Sequence, residues 1–398
     1  MRVFPYKITG NDQSDFMKEI GVSPAGISIM KPRFSLFSFV VQDISSAGAN
    51  ALKQHLLHVG GEVAVPRETI SQTEEKVTAL CTLPVDAIPK IIERFKQQWW
   101  HLPEIAEFLS QQLHAEPPWF DFQTPHIDTT RPAIMGILNL TPDSFSDGGK
   151  YLSVDHALQI AEQMIDAGVD ILDIGGESSR PGADFVTEKE ELERTIPLIQ
   201  KLHNRFPKMP ISIDTTKSVV AQKALQAGAT IVNDISGLQK DSAIADVVAK
   251  EGATLIVMHM KGEPKTMQNT PQYDNLLFSI SASLEKSVKK AVNAGINKNK
   301  IIIDPGIGFG KTVEHNLSII KHLEWLTSFQ LPIMVGASRK SVIGAVTGTK
   351  NPNDRLAGTV ALHTLALQNG AAILRVHDVS EAIQSRQIFS AVRGAPCC

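Results

Sequence analysis

Cysteine is scarce: three residues in 398, namely Cys81 and the terminal pair Cys397 and Cys398. Adjacent cysteines do not bridge each other without strain, so no disulfide framework is expected and a reducing, cytoplasmic setting fits. An excess of charge of one sign is missing too. With 39 Lys+Arg against 42 Asp+Glu, no global field favours nucleic acid or an acidic membrane as partner, and a small-molecule substrate is expected instead. No segment offers about 18 uninterrupted apolar residues, which excludes a spanning helix. The opening MRVFPYKITGNDQ has no apolar core behind its basic residue, so no secretory leader is predicted.

What the chain does have is length and a repeat. A (β/α)₈ barrel needs about 250 residues, and this chain exceeds that by well over a hundred, so two domains are expected. From about Ala133 onward, short Ile/Val-rich runs alternate with longer stretches of helical period. The predicted strands are Ala133–Leu140, Val169–Gly175, Ile211–Asp214, Thr230–Asp234, Thr254–His259, Lys300–Asp304, Ile333–Gly336 and Ala372–Val376. Between them, Val154–Ala167, Lys189–Arg205, Ser218–Ala227 and Leu356–Gln368 carry the residues of crossover helices. Right-handed βα crossovers in that number close most naturally into a TIM barrel. An open, doubly wound sheet would gather its polar residues at one switch point, whereas here they are spread over nearly all strand ends.

Upstream, a small α/β (α+β) module is predicted over residues 1–120. It has strands at Val3–Ile8, Phe37–Val41 and Lys76–Leu83, a helix at Ala47–His58, and a helical tail from Asp86 to Leu113. HAEPPWFDFQTPH has neither period and reads as a linker, which places the boundary near residue 125, with 121–130 as linker and 131–398 as the barrel. Nothing in the first module reads as chemistry; His55 and His58 suit a solvated helix face.

In such barrels the catalytic groups stand at the carboxyl ends of the strands. Here those ends are crowded with polar residues. Asn139, Thr141, Asp143 and Ser144 follow the first strand, Glu177, Ser179 and Arg180 the second, Asp214 the third, and Asn233 with Asp234 the fourth. His259 and Lys261 follow the fifth, Asp304 the sixth, Ser338, Arg339 and Lys340 the seventh, and Arg375, His377 and Asp378 the eighth. Any one of them has an ordinary explanation: Asp214 as a helix cap, Asn139 in a turn, Phe309 in a core. So many converging at one mouth imply a polar ligand.

The residue types narrow its chemistry. Asp214, Asn233 and Asp304 suit a flat heterocycle with adjacent N–H donors, because a carboxylate accepts two parallel hydrogen bonds. Lys340, Arg180, Arg375 and His377 suit an anion such as phosphate or diphosphate. Glycine-rich SFSDGGK, GGESSRPGA and DPGIGFGK are candidate lids. The last matches neither G-x-x-x-x-G-K-[ST] nor G-x-G-x-x-G, so it does not read as a nucleotide loop.

These residues lie in blocks that resemble dihydropteroate synthase. ILNLTPDSFSDGG at 137–149 and DIGGESSRPGA at 173–183 are similar to that family's two signature loops. SIDTTK at 212–217, VNDISG at 232–237, VMHMKGEPKTMQ at 257–268, DPGIGFGKT at 304–312, GASRKSVIG at 336–344 and RVHDV at 375–379 follow in order, so the resemblance spans the whole barrel. It implies condensation of 6-hydroxymethyl-7,8-dihydropterin diphosphate with 4-aminobenzoate, giving dihydropteroate for folate synthesis and releasing diphosphate. By the same resemblance Asp214, Asn233, Asp304 and Lys340 hold the pterin, and Arg375 stacks on it. Asn139 binds Mg²⁺ and the diphosphate, Ser179 also meets the pterin diphosphate, and His377 with Arg375 completes the anion pocket, so that Lys340, Arg375 and His377 are the implied catalytic residues; Ser179, Arg180, Pro181, Phe309 and Ser341 meet the 4-aminobenzoate. A homodimer and sensitivity to sulfonamide mimics of the amine are further implications. Ser179 stands where the family usually has threonine, keeping the hydroxyl without the methyl, and the N-terminal module is absent from the shortest members.

Two other readings use the same pterin pocket. A methyltransferase passing a methyl group from methyltetrahydrofolate to a corrinoid protein would leave the cationic SRK at 338–340 and RVHDV at 375–379 unexplained. A non-catalytic pterin-binding protein would keep Asp214, Asn233 and Asp304 beside a damaged anion pocket, whereas here the cations are intact.

Overall fold

A computed structural model of the chain describes residues 17–18, 21–71, 75–113, 131–140, 154–178, 186–262 and 271–394. It divides into two compact units, one within Met1–Ala115 and one within Glu116–Arg393. The predicted strand Val3–Ile8 and linker 121–130 lie outside the described residues.

The N-terminal unit is a three-stranded antiparallel sheet of order β1-β3-β2, with β1 at Leu36–Ser45, β2 at Glu62–Ala64 and β3 at Lys76–Pro84. Strand β3 shows why one face is covered: Val77, Ala79, Cys81 and Leu83 are buried while Lys76, Thr78 and Leu80 between them are exposed, a period of two. The buried face packs with Leu52 and Leu56 of the helix Ser46–Leu57, Ile91, Ile92 and Phe95 of Ile88–Phe95, and Leu102 and Leu109 of Leu102–Leu113. The predicted helical tail from Asp86 is therefore two helices. Trp100 and His101 both take positive φ, 56° and 64°, which a right-handed helix cannot accommodate, and this breaks the run. Strand β2 is too short to show a period and was not expected. Burial raises the Cys81 thiol to about 12, which keeps it an inert part of this core.

The second unit is a barrel of eight parallel strands. β4 (Ala133–Asn139), β5 (Ile171–Gly175), β6 (Ile211–Asp214), β7 (Ile231–Asp234), β8 (Thr254–Met258), β9 (Ile301–Asp304), β10 (Met334–Val335) and β11 (Ile373–Val376) follow one another round the ring. β11 returns to pair with β4, and a parallel bridge between Ile303 and Ile333 joins β9 to the start of β10. The strands are buried on both faces, so they read as continuous apolar runs rather than alternations. Helices cover the outside. The helix Glu188–Arg205 illustrates its own start and stop: Thr187 caps it by accepting from the Glu190 N–H at 3.3 Å, Glu188, Glu190 and Glu191 fill the first turn, and His203 and Arg205 the last.

Candidate active site

Side chains of a parallel strand alternate between the barrel interior and the helix layer. Met135, Ile171, Ile231, Ile256, Ile302 and Ile373 pack together as an apolar plug inside the barrel. Two residues further along four of those strands stand Asp173, Asn233, Asp304 and Arg375, all on the same inner face, and Asp214 ends β6 beside them. The next layer towards the carboxyl ends of the strands is thus polar.

These groups hold one another. Arg375 donates from Nε to Asp173 Oδ2 at 2.6 Å and from Nη2 to Asp214 Oδ2 at 2.7 Å. Asn233 Nδ2 reaches the same Asp173 Oδ2 at 3.4 Å. Asp304 accepts the Gly306 N–H at 2.7 Å. Lys340 Nζ lies 4.0 Å from the centre of the Phe309 ring, whose own packing partner is Met258. Asp173 Oδ1 and Asn233 Oδ1 are buried without a hydrogen-bond partner among the described residues.

Burial dominates the electrostatics. It raises Asp214 to about 7, with Arg375 pulling the other way and Asp173 adding to the rise. Burial also raises Asp304, against the Gly306 N–H and the Lys340 charge. It lowers Lys340 to about 8, with Asp304 opposing. Arg375 is held charged despite its burial, chiefly by Asp173 and Asp214. Groups poised this near neutrality at a barrel mouth are what a functional site requires.

Asn139 stands at the end of β4 near Asp214: a Cβ at Gly175 would lie 3.2 Å from Asn139 Oδ1 and 3.9 Å from Asp214 Oδ2, so the glycine preserves the space between them. His377 Nδ1 lies 3.0 Å from Ser338 Oγ, which also accepts the His377 backbone N–H at 3.2 Å. Ser341 is exposed at the first position of the helix Ser341–Thr347 that Lys340 precedes. Thr141, Asp143, Ser144, Ser179, Arg180 and Pro181 lie outside the described residues.

Several strand-end residues do not join the site. Asp234 accepts the N–H groups of Ser236 and Leu238 at 2.8 and 2.6 Å, a turn. Glu177 pairs with Lys217. Arg339 pairs with Asp378 and Asn353. Lys261 lies over the Tyr273 ring at 4.3 Å and is exposed. His259 is tied to Lys311, Nδ1 to Nζ at 2.9 Å, and burial lowers its imidazole to about 3. The loop DPGIGFGK is not a lid, because it is fastened at several points. Asn316 Oδ1 accepts the Gly308 N–H at 2.7 Å, Tyr273 donates to the Gly310 carbonyl at 2.8 Å, and Lys311 Nζ donates to the Phe309 carbonyl at 3.0 Å. Its glycines serve close approach: a Cβ at Gly306 or Gly310 would sit 2.0 or 2.1 Å from the carbonyl oxygen of His259 or Lys261.

The residue missed by sequence reasoning is Asp173. It sits inside a strand rather than after it, and the strand-end rule passed over it. The sequence offers only a partial signal, a carboxylate inside an apolar strand where an unpaired charge is costly; that Asp173 shares the inner face of Ile171 is seen in the structure alone.

Acceptors for a flat, N–H-rich ring beside two cations, all at the mouth of a (β/α)₈ barrel, define a pterin-binding enzyme. The chain belongs to the family of pterin binding enzymes, which it matches over residues 135–377. Within that family it falls among the dihydropteroate synthases. The dihydropteroate synthase of Synechocystis sp. is 46% identical over 291 residues, 73% of this chain and 98% of the relative. The crystal structure of the Yersinia pestis enzyme with a sulfonamide drug complex aligns with a TM-score of 0.65 at 45% identity, covering 68% of this chain and 97% of that one. The Xanthomonas albilineans enzyme in complex with 7,8-dihydropteroate aligns with a TM-score of 0.61 at 39% identity, covering 67% of this chain and 95% of that one.

Proposed function

We propose that the barrel joins (7,8-dihydropterin-6-yl)methyl diphosphate to 4-aminobenzoate, forming a bond between the exocyclic methylene carbon and the amine nitrogen while diphosphate leaves. The observation that carries this reading is the acceptor layer of Asp214, Asn233 and Asp304 set against Lys340 and Arg375. The first three take the donors of the pterin, Lys340 adds a donor at its edge, and Arg375 covers its face. His377 and Arg375 meet the departing diphosphate.

Ser179, Arg180, Pro181, Phe309 and Ser341 are assigned to the 4-aminobenzoate by resemblance. Phe309 and Ser341 flank Lys340, which supports their share of that role.

Asn139 fits a shared Mg²⁺ site. Among the described residues no group of three His, Cys, Asp or Glu forms a cage, and this ion commonly takes one or two protein oxygens and completes its shell with phosphate and water. The Asn139 amide oxygen beside the space at Gly175 is such a donor. When bound there, Mg²⁺ would neutralise charge developing on the leaving diphosphate.

The protein's task is mainly to favour departure of that group. One cation about 4 Å from a developing charge is worth roughly 4 kcal/mol at an effective dielectric near 20, about three decades in rate when realised only in the transition state. The aromatic amine is a nucleophile when neutral, so no strong general base is required. A cytoplasmic homodimer, inhibited by sulfonamide mimics of the amine, completes the proposal; among the described residues no helix is long and apolar enough to cross a membrane.

The test is diphosphate release by the purified protein given dihydropterin diphosphate and Mg²⁺, with and without 4-aminobenzoate. Dihydropteroate formed only with the amine, and lost in Lys340→Ala, is the expected result. Tight pterin binding without turnover would overturn it.

A further inference from the structure

Asp173 is fully buried, and its Oδ2 receives Arg375 Nε at 2.6 Å and Asn233 Nδ2 at 3.4 Å. The Arg375 contact to Asp214 is made by Nη2 alone, at 2.7 Å, while Nε and Nη2 both lie 2.6 Å from Asp173 Oδ2. As the protein stands, Arg375 therefore occupies the carboxylate that the heterocycle needs. Releasing Asp214 removes one N–H contact from the guanidinium; releasing Asp173 would remove its side-on grip through Nε and leave a carboxylate of zero exposed surface without a cation.

We propose that Asp173 is a positioning residue that keeps Arg375 at the barrel mouth while a pterin ring displaces it from Asp214, and that also orients Asn233 by drawing its amide N–H₂ inward. The inward Nδ2 leaves Asn233 Oδ1, buried and without a partner, as the atom presented to the ring. The same aspartate thus stands behind two ligand contacts without touching the ligand. Ring binding exchanges an ion pair for hydrogen bonds at Asp214, and Asp173 prevents the displaced arginine from being lost to solvent. This rests on the heterocycle reading of Asp214.

The experiment is fluorescence titration of the full chain with 6-hydroxymethylpterin, which needs neither turnover nor metal, in wild type, Asp173→Asn, Arg375→Ala and the double variant. Asp173→Asn should weaken binding on the order of tenfold in the wild-type background. In the Arg375→Ala background the share of that loss owed to the arginine should vanish, leaving at most the smaller part carried through Asn233, partly offset because the variant there relieves an unpaired charge next to Asp214. Equal losses in both backgrounds would mean a general structural role and overturn the proposal. A crystal structure of the wild type with the pterin gives a variant-free test: Arg375 must keep Asp173 and leave Asp214, and the reverse arrangement overturns it. Failure of the wild type to bind the pterin at all would instead sink the heterocycle reading itself.

Discussion

Lys217 holds Glu191 at 2.5 Å between Nζ and Oε2, inside a barrel wall where Glu191 has no exposed surface and the Lys217 side chain only 9%. The same ammonium pairs with Glu177, whose Oε1 is within 3.5 Å of the Val186 N–H, so one lysine links the end of β5, the end of β6 and the helix Glu188–Arg205. Burial raises Glu191 in spite of Lys217, so the pair is costly to desolvate and costlier to break. Lys217→Met should destabilise the protein by about 3–5 kcal/mol, because a buried carboxylate loses its cation. Lys217→Met combined with Glu191→Leu should recover a good part of that. Urea denaturation of the three proteins checks both statements, and a single variant as stable as wild type would contradict the first.

The pH dependence of pterin binding follows from two groups. Asp214, raised to about 7 by burial, must be ionised to accept the ring's N–H donors, and Lys340, lowered to about 8 by burial, must be charged to donate. Affinity should therefore climb as pH rises through about 7 and decline above about 8, a bell with a narrow top. The raised carboxyl also means that the Asp214 contribution to the stability of the unliganded protein is full below the ordinary aspartate range and is lost as pH rises through about 7. Fluorescence titration across pH gives the first profile and thermal unfolding the second. Asp214→Asn should remove the acidic limb of the binding profile and leave the basic one.

Most of the barrel was legible because its strands are apolar on both faces and its helices are not, so the two periods separate cleanly along the chain. The ends were less so. The expected strand Ile333–Gly336 is a strand only at Met334–Val335, since Ile333 makes a single bridge and Gly336 lies beyond the last paired residue. Of the expected site, Asp214, Asn233, Asp304 and Arg375 were readable from their place at strand ends. Asp173 was not, because finding it needs the inner-face register of β5 that pairing with β4 and β6 sets. His259 and Lys261 occupied the right kind of position, yet a contact 52 residues away in sequence, from Lys311, takes the histidine out of play.

Gly306 carries a backbone requirement that no side chain meets. Its φ is +71°, and an added Cβ would lie 2.0 Å from the His259 carbonyl oxygen and 3.2 Å from Met258 Cγ. Gly306→Ala must push the loop off the end of β8, and the Gly306 N–H that Asp304 accepts moves with it. A loss of roughly 2–4 kcal/mol in stability is expected, with weaker pterin binding because Asp304 loses its local donor. Gly348, also at positive φ but with nothing within 4 Å of an added Cβ, is the control: Gly348→Ala should cost only about 1 kcal/mol and leave binding intact.

At the opposite face of the barrel the same physics should affect stability alone. Asp170, at the start of β5, receives Arg386 Nη1 at 2.5 Å and Arg131 Nη2 at 2.6 Å and accepts the Ile134 backbone N–H at 2.8 Å, while Arg386 also donates to the Pro132 carbonyl at 3.2 Å. Arg386 thus fastens the closing helix Val379–Arg393 to the entry of β4. Its side chain is 8% exposed, so Arg386→Met removes a buried cation from a carboxylate that retains Arg131 as a half-exposed substitute. The cost should fall near the lower end for a broken buried pair, about 2–3 kcal/mol, visible as a lower midpoint in urea. Residues at the amino ends of barrel strands are remote from the substrates, so kcat/KM for either one should stay within about twofold of wild type. A selective loss of kcat/KM, with the urea midpoint unchanged, would show that this end of the barrel communicates with the mouth and that the separation of stability from chemistry argued for this chain is wrong.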